Sequence, residues 1–215
     1  MRTWKLEKNL YKAGAKRVCG LDEAGRGPLA GPVVAAAVIL ARKIRLPGLA
    51  DSKKLTPTKR EKLFRLITEK SAYGIGIVSN KTIDRIGIVA CVGRAMQIAV
   101  KNLPIAPDCL LIDGIDNFQF NGLPAAFIEK GDNRVRSIMA ASIIAKVARD
   151  RIMMKYDLKY PMYEFRQHKG YGTELHYKKL RKHGLSKIHR LTFRCASASS
   201  RSRRVAAAAQ HKNIK

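Results

Sequence analysis

The chain has 215 residues, of which 46% are hydrophobic, and its 43 lysines and arginines against 16 acidic residues give a formal net charge of +27. This charge indicates a nucleic acid or another polyanion as partner, because lysines and arginines neutralise phosphates and release bound counterions, whereas a merely solubilising surface needs a far smaller imbalance. The longest apolar run, residues 33–41, is too short to span a bilayer and residues 1–17 contain no signal-peptide core, so we expect a cytoplasmic protein without a membrane span.

The pattern of apolar residues predicts strands that alternate with helices. In chain order, the predicted elements are strands at residues 17–22 and 32–41, a helix from Thr56 to near Tyr73, a strand at 73–79, a long helix at 81–103, strands at 108–113 and 123–132, and helices at 135–156 and 174–183. Thr56 is the expected N-cap of its helix, with Pro57 at the first position. The continuously apolar second strand is expected to be buried on both faces. This order of elements predicts an α/β fold.

The C-terminal part of the chain differs in composition from the rest. Residues 175–215 contain no acidic residue, and residues 195–215 are mostly Ser, Ala and Arg with almost nothing to bury. We therefore expect one folded domain over residues 1–194 and a disordered basic tail over 195–215. The tail either adds sequence-independent DNA affinity, which its arginines favour, or is dispensable.

The scarce acidic residues occupy informative positions. Asp22, Asp113 and Asp132 each end a predicted strand, and Glu23 follows Asp22 directly. Ligands of α/β sheets bind at strand ends and in the loops that follow, so four carboxylates converge if these strand ends lie side by side. The alternative is structural: Asp22 and Glu23 would lie in a turn, and Asp132 would cap a helix.

A carboxylate cluster of this kind needs cations, and Mg²⁺ or Mn²⁺ are the natural choice because they prefer oxygen ligands. No His/Cys cluster with zinc spacing competes in the sequence. In so basic a chain, the cluster indicates hydrolysis of a phosphodiester. One metal would lower the pKa of the attacking water, and a second would stabilise the leaving 3′ oxygen.

Seven ordered blocks of sequence carry a family resemblance. The first is GLDEAGRGPLAGPVVAAAVIL, within which residues 20–32 hold the acid pair and a Gly-Arg-Gly. The others are DSKKL (51–55), LIDG (111–114), EKGD (129–132), AASIIAKVARD (140–150), HKGYGT (168–173) and HGLSKIHRLTF (183–193). Over residues 16–194 they closely resemble bacterial ribonuclease HII, a type 2 ribonuclease H. The sister type, ribonuclease HIII, shares the fold and the acids but lacks the Gly-Arg-Gly.

The resemblance implies an RNase H-like fold, a central mixed β-sheet flanked by helices, with a small helical C-terminal subdomain at about residues 155–194. It also implies an endonuclease that cleaves RNA in RNA–DNA hybrids and nicks duplex DNA 5′ to an embedded ribonucleotide, leaving 3′-hydroxyl and 5′-phosphate ends. The family's catalytic and metal-binding carboxylates fall on Asp22, Glu23, Asp113 and Asp132, with Asp22 bridging both metals. We expect a monomer.

The Gly-Arg-Gly and one tyrosine are the expected readers of the substrate. A protein distinguishes RNA from DNA by sensing the 2′ hydroxyl. Gly25 and Gly27 allow main-chain groups to approach a sugar that a Cβ would block, and Arg26 supplies a cation for the neighbouring phosphate. By resemblance, Tyr171 packs on the deoxyribose that follows the ribonucleotide and contacts the 2′ hydroxyl.

Other residues in the blocks have weaker assignments. Lys53, Ser142 and Lys146 resemble contacts to backbone phosphates, although Ser142 has a packing role as its alternative. Three histidines are expected to be structural and are assigned to no catalytic step: His168, His176 and His189. The final residues QHKNIK lack the aromatic pair that a sliding-clamp-binding peptide needs, so no clamp binding is predicted.

Two other functions remain open from the sequence. One is a different two-metal nuclease with an RNase H-like core, such as a junction resolvase, whose substrate offers no 2′ hydroxyl for the Gly-Arg-Gly and Gly-Tyr-Gly elements to read. The other is a nucleic-acid-binding protein without activity, which would have no reason to keep all four acids. Metal-dependent cleavage distinguishes the enzyme from the binding protein.

Overall fold

The computed structural model of the chain describes residues 5–115 and 118–193. The strands in these residues are β1 (Val18–Ala24), β2 (Val33–Ile39), β3 (Ala72–Val78), β4 (Cys109–Asp113) and β5 (Ala125–Ile128). The helices are α1 (Lys5–Lys12), α2 (Pro57–Lys70), α3 (Asn80–Ile86), α4 (Ile88–Lys101), α5 (Arg136–Lys159), α6 (Phe165–His168) and α7 (Glu174–His183). Short 3₁₀ turns lie at Ser52–Lys54, Gly131–Asn133 and Pro161–Tyr163.

The five strands form one mixed sheet in the order β3-β2-β1-β4-β5. β2 is antiparallel to both of its neighbours, whereas β1, β4 and β5 run parallel to one another. The register pairs Leu21 of β1 with Ile112 of β4, and Asp113 of β4 with Ile128 of β5. The parallel strands therefore end at the same edge of the sheet. The predicted α/β class with a mixed sheet is confirmed.

Both faces of the sheet are covered by helices. Every residue of β2 is buried, as its continuously apolar sequence predicts. On one face, side chains of β2 and β3 pack with Leu63 and Ile67 of α2 and with the small residues Ala140, Ala141 and Ala145 of α5. On the other face, α4 packs against β3 and β2.

Two glycines of β3 set the distance between the sheet and α4. A Cβ on Gly74 would lie 2.1 Å from the carbonyl oxygen of Ala99, and a Cβ on Gly76 would lie 1.9 Å from that of Ala95. Both distances are well inside van der Waals contact, so only glycine fits.

The long helix predicted over residues 81–103 is wrong, because the structure has two helices there. α3 ends at Ile86, and Gly87 follows with φ of +80° while its N–H donates to the carbonyl of Ile83. Ile88 then begins α4. A left-handed residue ends a helix, and glycine adopts that conformation without strain. The apolar spacing continues on both sides of the break and so concealed it.

Two strand boundaries near the acidic residues also differ from the prediction. β1 continues to Ala24 because it keeps pairing with β2, so Asp22 and Glu23 lie inside the strand. β5 stops at Ile128, because Lys130 is left-handed, with φ of +54°. Asp132 therefore lies in the 3₁₀ turn that follows β5 rather than at its end.

The chain divides into two compact units. Of the described residues, the first contains 5–26, 33–78, 88–115 and 118–149 and includes the sheet. The second contains 27–32, 79–87 and 150–193, and its described elements are helical. Its apolar cluster includes Leu29, Met153, Tyr163, Phe165 and Leu180. The domain boundaries expected from the sequence stay a prediction, and the tail at 195–215 lies outside the described residues.

Candidate active site

Three aspartates meet at the edge where the parallel strands end. Asp22 follows Leu21, and Asp113 follows Ile112, which is the residue paired with Leu21 across β1 and β4. Asp132 reaches the same place from the turn after β5, where its N–H donates to Asp113 Oδ1 at 3.2 Å. One carboxylate oxygen from each of the three lies within 4.8 Å of the other two. We call these residues the aspartate triad.

Asp22 is the deeply buried member of the triad, with 5% of its surface exposed. Its carboxylate accepts the N–H of Glu23 at 2.7 Å and the hydroxyl of Ser142. Burial raises the pKa of Asp22 well above its usual range, and the charges of Glu23 and Asp113 raise it further, although the two hydrogen bonds oppose them. Proximity to other acids therefore disfavours the ionised form of Asp22 unless a cation is present.

Asp113 has a similar environment at lower burial. Burial raises its pKa, and the charge of Asp132 adds to the effect, while the N–H groups of Asp132 and Gly131 counteract it. The triad thus offers only carboxylate oxygens, close together and mutually repelling. This donor set fits a hard divalent cation of the Mg²⁺ or Mn²⁺ class and lacks the nitrogen and sulfur ligands of zinc sites.

Lys53 provides a protein cation beside the triad. Its Nζ lies 3.7 Å from Asp132 Oδ2, and 77% of its side chain is exposed. Partial burial lowers the pKa of Lys53, but the combined charges of Asp132, Asp22, Asp51 and Asp113 outweigh it and the net pKa is raised. Lys53 is therefore charged at neutral pH and accessible to a ligand.

A buried pair of serines forms a hydrogen-bond chain that ends at Asp22. Ser52 and Ser142 are 2% and 4% exposed, and their hydroxyls are 2.9 Å apart. Since Ser142 donates to Asp22, Ser52 donates to Ser142. The sequence left Ser142 between a phosphate contact and a packing role, and its burial favours a role inside the protein.

The sequence interpretation missed Ser52 and Asn133. Asn133 Nδ2 donates to Asp132 Oδ1 at 2.8 Å, and Asn133 Oδ1 in turn accepts from Lys54 Nζ. Each missed residue is the immediate neighbour of an assigned one, Lys53 or Asp132. Their position next to an assigned residue was the only indication in the sequence. A sequence neighbour contacts the same site only when the local backbone, here a 3₁₀ turn, directs both side chains towards it.

Glu23 stands apart from the triad. Among the described residues, the group of acids close enough to share one ion contains the three aspartates and not Glu23. The carboxylate of Glu23 instead lies 3.5 Å from the guanidinium of Arg26, and their side chains are 13% and 42% exposed. Glu23 is nevertheless close enough to raise the pKa of Asp22.

The Gly-Arg-Gly contains two glycines with different constraints. Gly25 has φ of +100°, a conformation that L side chains rarely adopt. Gly27 does not need its glycine for internal packing, because a Cβ there would meet no described atom within 4 Å. An open backbone position of this kind is accessible to a ligand.

The remaining predicted site residues lie outside the triad. Lys146 is half-buried and lies one helical turn after Ser142 on α5. Tyr171 belongs to the second unit, as does Gly27, and 40% of Tyr171 is exposed. The structure thus brings together Asp22, Asp113, Asp132, Lys53 and Ser142.

Comparison with known proteins gives this arrangement a family. The model of the family described as Ribonuclease HII matches residues 19–196. The chain belongs to the ribonuclease HII family. A curated Ribonuclease HII of Acetivibrio thermocellus is 53% identical over 188 residues, which cover 87% of this chain and 73% of that relative. The family prediction is confirmed, and the chain is therefore a type 2 ribonuclease H rather than a resolvase-like nuclease.

Solved structures of the family have the same fold. The ribonuclease H2 from Pyrococcus horikoshii OT3 superposes with a TM-score of 0.73 at 30% identity, covering 88% of this chain and 98% of that one. The ribonuclease HII in a PCNA complex from Archaeoglobus fulgidus superposes with a TM-score of 0.71 at 26% identity, covering 83% and 95%. The predicted RNase H-like fold is confirmed.

The structure and the comparisons bear only in part on the predictions that the protein has no membrane span and does not bind a sliding clamp. Within residues 5–115 and 118–193, every helix is too short or too polar to cross a bilayer. The PCNA complex is a property of the Archaeoglobus protein. The segment QHKNIK, on which our prediction of no clamp binding depends, lies outside the described residues, so that prediction stands untested.

Proposed function

We propose that this ribonuclease hydrolyses the RNA strand of RNA–DNA hybrids and nicks duplex DNA 5′ to an embedded ribonucleotide, leaving a 3′ hydroxyl and a 5′ phosphate. The aspartate triad is the observation that carries the proposal, since it is an oxygen-only cation site on a chain with a net charge of +27. The basic surface attracts the phosphate backbone, and the triad marks the place of reaction.

The proposed chemistry uses two divalent ions, Mg²⁺ or Mn²⁺, held by the triad with Glu23 as the fourth carboxylate. When bound, such ions lower the pKa of the attacking water and stabilise the leaving 3′ oxygen. The raised pKa values of Asp22 and Asp113 support the proposal, because carboxylates crowded in this way gain most from a cation. Ser142 fixes the orientation of Asp22, and the N–H of Asp132 fixes that of Asp113.

Recognition of the substrate is assigned to residues around the triad and in the second unit. Lys53 and Arg26 are exposed cations that neutralise phosphates, and Lys146 is proposed to do the same. Gly25 and Gly27 present main-chain groups to the ribose. The positive φ of Gly25 and the open space at Gly27 support this role.

Tyr171 is proposed to complete the recognition of the RNA-to-DNA junction. A tyrosine offers an apolar ring for a deoxyribose and a hydroxyl for one hydrogen bond. Its 40% exposure supports contact with a ligand. We assign the protein to the cytoplasm and expect it to act as a monomer.

The test is cleavage of an end-labelled DNA duplex that contains one ribonucleotide, in Mg²⁺ or Mn²⁺, beside an all-DNA duplex. We expect a single nick 5′ to the ribonucleotide that EDTA and Asp22→Asn both abolish. Glu69→Gln is the matched control, because it removes one carboxylate from an exposed position on α2 and raises the net charge equally. This variant should cleave as the wild type does.

Two results would contradict the proposal. Salt-sensitive binding of the duplex without cleavage in either metal would leave only a nucleic-acid-binding protein. Equal cleavage of the all-DNA duplex would mean that the enzyme does not read the 2′ hydroxyl, and the roles of Gly25, Arg26, Gly27 and Tyr171 would be wrong.

A further inference from the structure

Three histidines that the proposed chemistry does not use form one buried cluster in the second unit. His168, His176 and His189 are 7%, 0% and 1% exposed. The rings of His168 and His176 stack with centroids 4.2 Å apart, and Nε2 of His176 lies 3.0 Å from Nε2 of His189. We call these three residues the histidine cluster.

The hydrogen-bond partners fix the proton positions in His176 and His189. His176 Nδ1 lies 2.9 Å from the carbonyl oxygen of Tyr171, which can only accept, so Nδ1 carries the proton. His189 Nδ1 accepts the N–H of Ser186 at 2.8 Å, so the proton of the neutral His189 ring is on Nε2. His189 Nε2–H therefore donates to His176 Nε2, and one directed chain runs from Ser186 to Tyr171.

His168 belongs to the same local network with its own fixed tautomer. Its Nε2 donates to the carbonyl of Tyr163 at 2.9 Å, and its Nδ1 accepts the N–H of Gly170 at 3.2 Å. The carbonyl of His168 accepts the N–H of Tyr171 at 2.9 Å. Both backbone polar groups of Tyr171 are thus held by histidines of the cluster.

The surroundings keep the cluster neutral. Burial, assisted by the charge of His168, lowers the pKa of His176 to about 4. Burial, assisted by the charges of His176 and His168, lowers the pKa of His189 to about 3. For His168, burial lowers the pKa as well, opposed by the charges of Glu164 and Asp157 and assisted by that of Lys169. A second proton on His176 would place its Nε2–H against the Nε2–H of His189 at 3.0 Å. A second proton on His189 would place its Nδ1–H against the N–H of Ser186 at 2.8 Å.

We propose that His176 is a positioning residue that, supported by His189, holds the backbone of Tyr171 so that the tyrosine ring can read the ribonucleotide junction. This inference rests on the proposed function of Tyr171 as a substrate contact. The Tyr171 carbonyl also accepts the N–H of Thr173 at 2.8 Å, which closes a local turn. The hydrogen bond from His176 therefore adjusts the orientation of a carbonyl that this turn already holds. The predicted structural role of these histidines thus acquires a functional consequence.

A matched pair of substitutions separates the bond to Tyr171 from the rest of the cluster. An asparagine amide occupies the position of histidine Nδ1, so His176→Asn keeps a donor for the Tyr171 carbonyl and loses the link to His189. Glutamine reaches the position of Nε2, so His176→Gln keeps an acceptor for His189 and loses the bond to Tyr171. Each variant loses one buried hydrogen bond, so their thermal midpoints should fall by similar amounts.

The assay is kcat/KM on the duplex with one ribonucleotide. We expect His176→Gln to be roughly fivefold or more below His176→Asn, the effect of about one buried hydrogen bond. Equal values for the two variants would overturn the proposal, because the cluster would then act through packing alone. Cleavage by the wild type in the same assay tests the proposed function independently, and its absence would overturn both.

A double-mutant cycle shows whether the effect passes through Tyr171. In a Tyr171→Ala background the two His176 variants should have the same kcat/KM, since the ring they position is gone. A difference that persists in that background would overturn the proposal, as would a Tyr171→Ala enzyme with full activity.

Nitrogen NMR of the wild-type histidines provides a test that no folding defect affects. At neutral pH we expect His176 to be protonated on Nδ1, and His168 and His189 on Nε2. A different tautomer of His176, or a charged ring in either His176 or His189, would overturn the hydrogen-bond chain and the proposal with it.

Discussion

Replacing Asp22 with asparagine removes a buried negative charge from the aspartate triad while keeping the shape of the side chain. The amide oxygen can still accept the N–H of Glu23, which now bonds Asp22 Oδ1. The substitution therefore changes the electrostatics of the site far more than its packing. In the absence of divalent ions we expect the variant to be more stable than the wild type.

The size of the effect follows from the separation of the carboxylates. Two unit charges 4.8 Å apart repel by about 3 kcal/mol at an effective dielectric constant of about 20. Asp22 lies within this distance of Asp113 and Asp132, but partial protonation and the cation of Lys53 reduce the repulsion. We therefore expect the free energy of unfolding in EDTA to rise by about 1–3 kcal/mol.

Urea unfolding in EDTA and in millimolar Mg²⁺ or Mn²⁺ is the measurement. Metal should stabilise the wild type, because an ion that binds only the folded state adds to its stability, and it should stabilise Asp22→Asn much less. Glu69→Gln controls for the change in net charge and should behave as the wild type. A variant that is less stable than the wild type in EDTA, or that gains equally from metal, would refute this account of the triad.

Three further predictions concern stability and access. His189 has a pKa lowered to about 3, chiefly by burial, so the unfolded state binds the extra proton below about pH 6.5. The stability that His189 contributes above that pH should fall by about 1 kcal/mol between pH 7 and pH 5.5. Urea unfolding at each pH should therefore show a total loss that is smaller by about that amount in His189→Gln. Glu7 of α1 accepts the N–H of Ser137 at the start of α5 at 2.9 Å. Glu7→Ala should therefore lower the free energy of unfolding in urea by about 1–3 kcal/mol, and Glu7→Gln, which keeps an acceptor, should lower it less. Equal losses in the two variants would contradict that hydrogen bond. A Cβ on Gly76 would lie 1.9 Å from a carbonyl oxygen of α4, whereas a Cβ on Gly27 would meet open space. Calorimetry should therefore show that Gly76→Ala loses about 3 kcal/mol of stability and that Gly27→Ala keeps the stability of the wild type. The same Gly27→Ala protein should nick the ribonucleotide duplex more slowly, and an unchanged rate would remove this glycine from the substrate contact.

Much of the fold could be predicted from local patterns. The apolar run of β2 and the Thr56-Pro57 start of α2 both gave elements that the structure contains. The residue pattern alone did not give the antiparallel direction of β2, since strand direction depends on pairing between distant segments; a mixed sheet was implied by the resemblance. The break at Gly87 was missed because it depends on one backbone angle, which a continuous apolar spacing does not report.

The candidate site was predictable to a similar degree. Strand-end reasoning and the resemblance selected Asp22, Asp113 and Asp132 before any geometry was available, and the structure brings them together. The pairing of Glu23 with Arg26 and the support of Asp22 by Ser52 were not predictable. Both depend on side-chain directions in three dimensions, which spacing along the chain does not determine.

The parallel register between β1 and β4 has a consequence for the order of events in folding. Asp22 and Asp113 become neighbours only when these two strands pair, and Asp132 joins them only after β5 has added to β4. A chain this basic can attract nucleic acid in any conformation, but a partly folded chain lacks the triad. The aspartate triad therefore exists only once strands that lie far apart in the sequence have paired.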